Sequence, residues 1–174
     1  MMKRLTLLGL LLFCIFPLSV AAWIMSSDKR DQQSIEAGIG AIKSGEYDEA
    51  FSHLLPLAKE GNPEAQYNIG WLYANGIGGK VDVPTAIYWW EKAAAGNHAP
   101  SQFSLGMIYL TGDGKTIKKN VPEAIHWHMR SARNGYVEGR EMMRQLYRTR
   151  KRTVLKLYPD ITGESWFSQK KSAE

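Results

Sequence analysis

Four histidines, one cysteine and a short glycine–lysine–threonine run are the residues of this 174-residue chain best suited to chemistry. His126 and His128 stand two positions apart on a predicted helix and so point to different sides of it. A zinc pair on one helix needs a spacing of about three or four. His53 and His98 have no partner close by in sequence, and all four read as solvated or helix-capping histidines. Gly112-Asp113-Gly114-Lys115-Thr116 would suit a phosphate cradle only if a glycine stood at position 109, which is Tyr109, and a strand came before it. No serine occupies a Gly-x-Ser-x-Gly elbow, and Asp48, Glu49 and Glu60 sit on predicted helix surfaces without an opposing carboxylate. Cys14 lies inside the N-terminal apolar run, so the mature domain has no disulfide, thiolate metal site or cysteine nucleophile. The reading is a non-enzyme, with no metal, cofactor or small-molecule substrate.

The chemistry that remains is non-covalent recognition. Tyr67, Trp71 and Asn75 fall on one face of a predicted helix, and Phe103, Met107 and Thr111 on the same face of a second. Stacked side by side, those helices display an aromatic and methionine stripe of the kind that anchors protein partners. Tyr67 and Phe103 fit packing on a neighbouring helix equally well. Trp89, Trp90 and Trp127 read as core, with Trp90 half exposed. Arg140 and Arg148 belong to a basic stretch from Arg140 to Lys156 that carries seven Lys or Arg and one acid, Glu141. That stretch reads as a basic helix end that orients a partner, or as a surface for an acidic protein or phospholipid headgroups.

A repeat supplies the elements that position these residues. Ala65-Gln66-Tyr67-Asn68-Ile69-Gly70-Trp71-Leu72-Tyr73 returns 36 residues later as Ser101-Gln102-Phe103-Ser104-Leu105-Gly106-Met107-Ile108-Tyr109. Gly76-Ile77-Gly78 returns as Gly112-Asp113-Gly114, and Val83-Pro84 to Trp89 returns as Val121-Pro122 to Trp127, now offset by 38. Two residues are thus inserted after Gly114. Each unit reads as two helices. Ala65, Ile69 and Tyr73 give the apolar face of the first, and Gly-x-Gly ends it. Asp82 and Asn120 are placed to cap the second, with Asn120 and Glu123 spaced for a capping box. Gly70 and Gly106 cost about 1 kcal/mol each against alanine inside a helix, which predicts close approach of a neighbour there. Half-units flank the pair. Residues 34–43 and a helix from Gly45 to Glu60 lie upstream, with Asn62 placed to cap the next helix. Downstream, Gly135 to Tyr147 forms another first helix with Arg144 at the glycine position, a substitution that bars a second helix of the usual kind.

The pattern Ala-x-x-x-Leu-Gly-x-x-Tyr-x-x-Gly-x-Gly, then Asp, then Ala-x-x-Trp-x-x-x-Ala-Ala resembles the Sel1-like repeat, a relative of the tetratricopeptide repeat. Residues 65–97 match nearly throughout, and 101–134 match with Ser101, Asn120 and Ser131 as variants. The resemblance implies an all-α fold, a right-handed α-solenoid of antiparallel helix pairs. It also implies an adaptor whose protein partner lies in a concave groove lined by the first helices. Some exported members serve envelope assembly or exopolysaccharide machinery, and others act as immunity proteins against toxic enzymes such as lipases.

Composition agrees with a folded, exported domain. The chain is 44% hydrophobic with six Trp, too apolar for disorder. Residues 1–22 read as a signal peptide, with Lys3-Arg4, an apolar core and small residues up to Ala22. The alternative is an uncleaved membrane anchor over residues 5–25. Without Lys3 and Arg4, 20 basic residues face 17 acidic ones, too small an excess for nucleic acid. The expected organisation is a linker at 23–33, a solenoid at 34–150 and a C-terminal cap and tail at 151–174, with Trp166 and Phe167 covering core. The expectation is a periplasmic protein-binding module, an immunity-type inhibitor within that class. The alternative is a membrane-anchored scaffold or assembly factor of an envelope complex, its domain facing the periplasm.

Overall fold

The structure, a computed structural model, describes residues 28–161 and 163. Residues 1–22, expected as a signal peptide, and Trp166 and Phe167 lie outside them. Seven helices follow one another: α1 within residues 28–44, α2 Tyr47–Glu60, α3 Pro63–Ala74, α4 Val83–Ala95, α5 Ala99–Thr111, α6 Val121–Arg133 and α7 Val137–Leu157. Each packs mainly on the next, and no strand occurs among the described residues. The odd-numbered helices are the first of each pair, and the even-numbered ones the second. Residues 28–33 are helical, which corrects the linker expected there. No glycine or proline interrupts this polar stretch, and Gln32 donates to Glu36 one turn on, so the helix continues past its packed part.

The helix starts follow the capping chemistry. Asn62, Asp82 and Asn120 each accept the backbone N–H three residues on, at 3.0, 3.0 and 3.2 Å, with proline in the first turn of each helix. The capping box is only half formed at Asn120, because its own N–H goes to Tyr109 O at 2.7 Å. Asp82 N–H reaches Tyr73 O in the same way at 3.0 Å, so both units close identically despite the two-residue insertion. Between them the chain turns at Gly76 and Gly112, both at positive φ. A Cβ there would meet Val81 N at 2.8 Å and Ile117 O at 2.7 Å.

Small residues set the helix spacing. Ala50, Ala65, Ala86, Ala93, Ala94, Ser101 and Ala124 are fully buried. A Cβ on Gly70 would come within 2.6 Å of Trp90 Nε1, and one on Gly106 within 2.6 Å of the His128 ring. Trp90 is therefore buried, not half exposed, and its indole N–H donates to Tyr67 O at 3.2 Å. After α6 the pattern changes. Arg144, paired with Glu141, replaces the glycine, and α7 kinks at Arg150 (φ −137°, ψ 36°) where the earlier units turn at glycine. The chain then folds back, burying Val154 and Ile161 against Met129, Met143 and Tyr147. His126 to Tyr158 (3.0 Å) and Arg133 to Asp160 (3.2 Å) fasten this return to α6. Among the described residues, Val154, Tyr158 and Ile161 do the covering expected of the C-terminal cap.

Candidate functional site

On α3 and α5 the residues expected to form a stripe take unequal roles. Trp71 is 37% exposed, a large ring that the core leaves in contact with solvent. Met107, one unit on, is half-buried. Asn75 caps α3 and donates its side-chain N–H to Trp71 O at 2.8 Å, while the Thr111 hydroxyl in the last turn of α5 donates to Met107 O at 3.0 Å. These bonds fix the C-terminal turns that carry the two anchors. Tyr67 and Phe103 are half-buried and pack between units. Tyr67 lies against the His98 ring (5.3 Å between centroids), and Phe103 against Tyr136 (5.5 Å) and His128 (5.1 Å). Burial first, then the neighbouring Tyr136, raises the Tyr67 hydroxyl above the usual phenol range. Tyr67 and Phe103 thus form the floor, Trp71 is exposed, and Met107 is half-buried. Arg140 is half-buried on α7 and Arg148 exposed, one unit beyond the stripe.

Three residues of the floor were not placed there by the sequence. His98 and Tyr136 stand just before α5 and α7 at equivalent positions, each offering a ring to the aromatic of the preceding unit. Ser104 hydrogen-bonds Tyr67 from the next helix. The sequence signal was the 38-residue offset between His98 and Tyr136.

The buried glutamines have a repeated task. Gln66 Nε2 donates to Ala58 O at 3.0 Å, and Gln102 Nε2 donates to Ala94 O at 3.1 Å. Each adds a side-chain donor to a carbonyl in the last turn of the preceding helix, beside the backbone N–H of Gly61 at Ala58 and of Asn97 at Ala94. The Asn134 side chain then donates to Gln102 Oε1 at 2.8 Å.

Two of the four histidines, His98 and His128, depart from the solvated or capping reading, while His126 is exposed. His53 lies 3.6 Å from Glu49. His98 is partnered on both ring nitrogens, with Ser101 Oγ at 2.9 Å from Nδ1 and Glu64 Oε2 at 3.1 Å from Nε2. The bond to His98 holds the Glu64 carboxyl below the usual carboxylate range. The string has the connectivity of a serine–histidine–acid triad, but Ser101 is fully buried and meets Nδ1 instead of the Nε2 that faces a catalytic serine. It is a tie between α3 and the start of α5. His128 is fully buried with no hydrogen-bond partner on either nitrogen, and burial pushes its pKa down to about 4. It fills the place that Trp90 fills one unit earlier.

The 112–116 loop is likewise spent on itself. Asp113 accepts the backbone N–H groups of Lys115, Thr116 and Ile117 at 2.9, 2.8 and 2.7 Å, and the Thr116 hydroxyl. Its carboxyl is held well below the usual range by the Thr116 hydroxyl first and the Ile117 N–H next. The donors a phosphate would need already have an acceptor. Among the described residues, no three His, Cys, Asp or Glu side chains converge on a metal position, and no helix is long and apolar enough to cross a membrane.

Stacked helix pairs bearing an exposed aromatic on the first helices define a class, the helical-repeat interaction proteins. The chain matches the family model for the Sel1 repeat over residues 63–98 and 99–136. It is similar to the ERAD-associated E3 ubiquitin-protein ligase component HRD3A of Arabidopsis thaliana. The two are 33% identical over 105 residues, 55% of this chain and 16% of that protein. Its fold is similar to that of a Sel1 repeat protein from Oxalobacter formigenes (36% identity, TM-score 0.58, 63% of this chain and 44% of that one). It is also similar to a protective antigen present in uropathogenic Escherichia coli strains (27% identity, TM-score 0.60, 70% of this chain and 27% of that one). The chain spans less than half the length of each. Sel1-repeat proteins are protein-interaction modules.

Proposed function

We propose that this chain is an exported module that grips one partner protein along the concave face of its first helices. Trp71 and Met107 are the anchors, and the basic stretch from Arg140 through Arg148 orients the partner. The observation that carries this reading is the exposed Trp71 ring. Its neighbours Tyr67 and Phe103 are drawn into inter-unit packing, while Trp71 is left outward with its carbonyl tied by Asn75. Exposed tryptophan on a rigid helix is the side chain most enriched at binding hot spots. The similarity to a component of a ubiquitin-ligase assembly supports an adaptor role. The apolar N-terminal segment supports export to the periplasm, and within that setting the role proposed is that of an immunity-type inhibitor of a secreted toxic enzyme.

The test is capture from envelope extract with the wild-type chain and with a Trp71→Ala/Met107→Ala variant. One stoichiometric partner held by the first and lost by the second, at equal thermal stability, supports the reading. A partner retained by the double variant removes the stripe from the site. Capture only of a toxic enzyme delivered by a rival cell selects the immunity role.

A further inference from the structure

Charge is graded along the stack of helices. Residues 28–62 carry four basic and seven acidic side chains, a net of −3, and residues 63–98 carry two and three, a net of −1. Residues 99–136 carry five and two, a net of +3, and residues 137–157 carry seven and two, a net of +5. Like charge gathered at one end of a small domain costs self-repulsion, and opposite ends of this kind attract across a contact.

The topology places the two extremes on one edge. Because successive helices run antiparallel, the α1–α2, α3–α4 and α5–α6 connections share an edge, and the kink of α7 stands where the next such connection would fall. Phe51 of α2 lies under Gly78 of the α3–α4 connection, and Val121 at the start of α6 shares a cluster with Tyr147 and Val154 around the kink. The edge is therefore continuous. At its first end Glu46, Asp48 and Glu49 are exposed around Tyr47, itself 37% exposed, and line an open depression that Gly78 closes on one side. Glu49 also stands 3.6 Å from His53. At its other end Lys118, Lys119, Arg150, Lys151 and Arg152 are exposed, Lys151 leaning over the Tyr147 ring. In the middle, Val81 is 62% exposed.

We infer that two copies of this chain associate side by side and antiparallel along this edge, about a twofold axis that falls between the Val81 and Lys118 loops. That single operation sets the acidic end of each copy against the basic end of the other, so both complementary contacts form at once and the assembly closes as a dimer. Arg150 or Arg152 of one copy meets the carboxylates around Tyr47 of its partner, where a guanidinium finds both carboxylate oxygens and an aromatic face. A second copy is the occupant because the chain itself carries the complement of each patch, on the same edge and in mirrored order.

Sedimentation of the full-length chain tests this. The wild type is expected as a dimer at low salt, its dissociation constant rising at least about tenfold between roughly 0.05 and 0.5 M salt. An Arg150→Glu/Lys151→Glu/Arg152→Glu variant and a Glu46→Lys/Asp48→Lys/Glu49→Lys variant are each expected to be monomeric, and their equimolar mixture to regain the dimer. If either variant loses its helical melt, carbodiimide coupling of mixed heavy and light wild-type chains replaces it. Inter-copy links from Lys118 or Lys151 to Glu46 or Asp48 are then expected. A wild type that stays monomeric at low salt, a folded mixture that does not associate, or absence of those links overturns the proposal. So does growth beyond the dimer, which would make the contact head to tail, or a monomer that pellets with phosphatidylglycerol vesicles, which would assign the basic end to lipid.

Discussion

His128 makes the fold sensitive to mild acid, and the size of the effect follows from its surroundings. The ring is fully buried over Gly106, neither nitrogen has a partner, and its pKa falls from 6.5 to about 4 because burial penalises the charged form. The unfolded chain binds a proton at this site as pH drops through 6.5, and the folded chain does not until about 4. Stability is therefore level above the unfolded value and declines between the two. The loss is about 2 kcal/mol at pH 5 and about 3 kcal/mol once both states are protonated. For a domain of this size the first figure lowers Tm by about 5 to 10 °C. Thermal melts between pH 7.5 and 5 would be recorded for the wild type and for His128→Trp, which copies the arrangement of Trp90 over Gly70. The variant is expected to hold a nearly level Tm over that range while the wild type falls. Carboxylates such as Glu64, whose folded pKa is lowered, also withdraw stability as pH falls, but they do so equally in both chains. Parallel curves for the two proteins would refute the reasoning about His128.

Gly70→Ala should destabilise the fold by about 1 to 3 kcal/mol, read by urea unfolding, because its Cβ would press within 2.6 Å of the Trp90 indole and leave that ring no room. Gln66→Leu should cost less, about 0.5 to 1.5 kcal/mol in the same assay, since the Ala58 carbonyl at the end of α2 loses its side-chain donor and keeps only the Gly61 N–H. Ala94→Trp should abolish the cooperative melt seen by circular dichroism, as Ala94 is fully buried between helices.

The repeat was legible because its cues are local. Glycine at a turn of positive φ, an Asp or Asn that caps the next helix, and alanine where helices touch each have a backbone or steric reason that shows in the residue type itself. The stripe was legible in placement and less so in depth. Trp71 came out exposed, whereas Tyr67 and Phe103 sink into the joint between units, against His98 and Tyr136. How deeply a face residue sinks depends on the rotation from one helix pair to the next, which a helical period does not encode. The same holds for Trp90, whose indole is drawn under Gly70 to reach Tyr67 O. His128 escaped because histidine is read as polar from its type alone, while the repeat offset to Trp90 puts it in the core. The first turns of α1 at 28–33 had no packing signal, being polar and mostly exposed.

The most direct measurement is the affinity of the captured partner for the wild type and for Trp71→Ala, with a thermal melt of each chain. The account predicts a binding loss of at least about 2 kcal/mol, roughly thirtyfold in Kd, with stability changed by less than about 0.5 kcal/mol. A large drop in Tm with binding intact would contradict it, making Trp71 a core residue and moving the interface to another face.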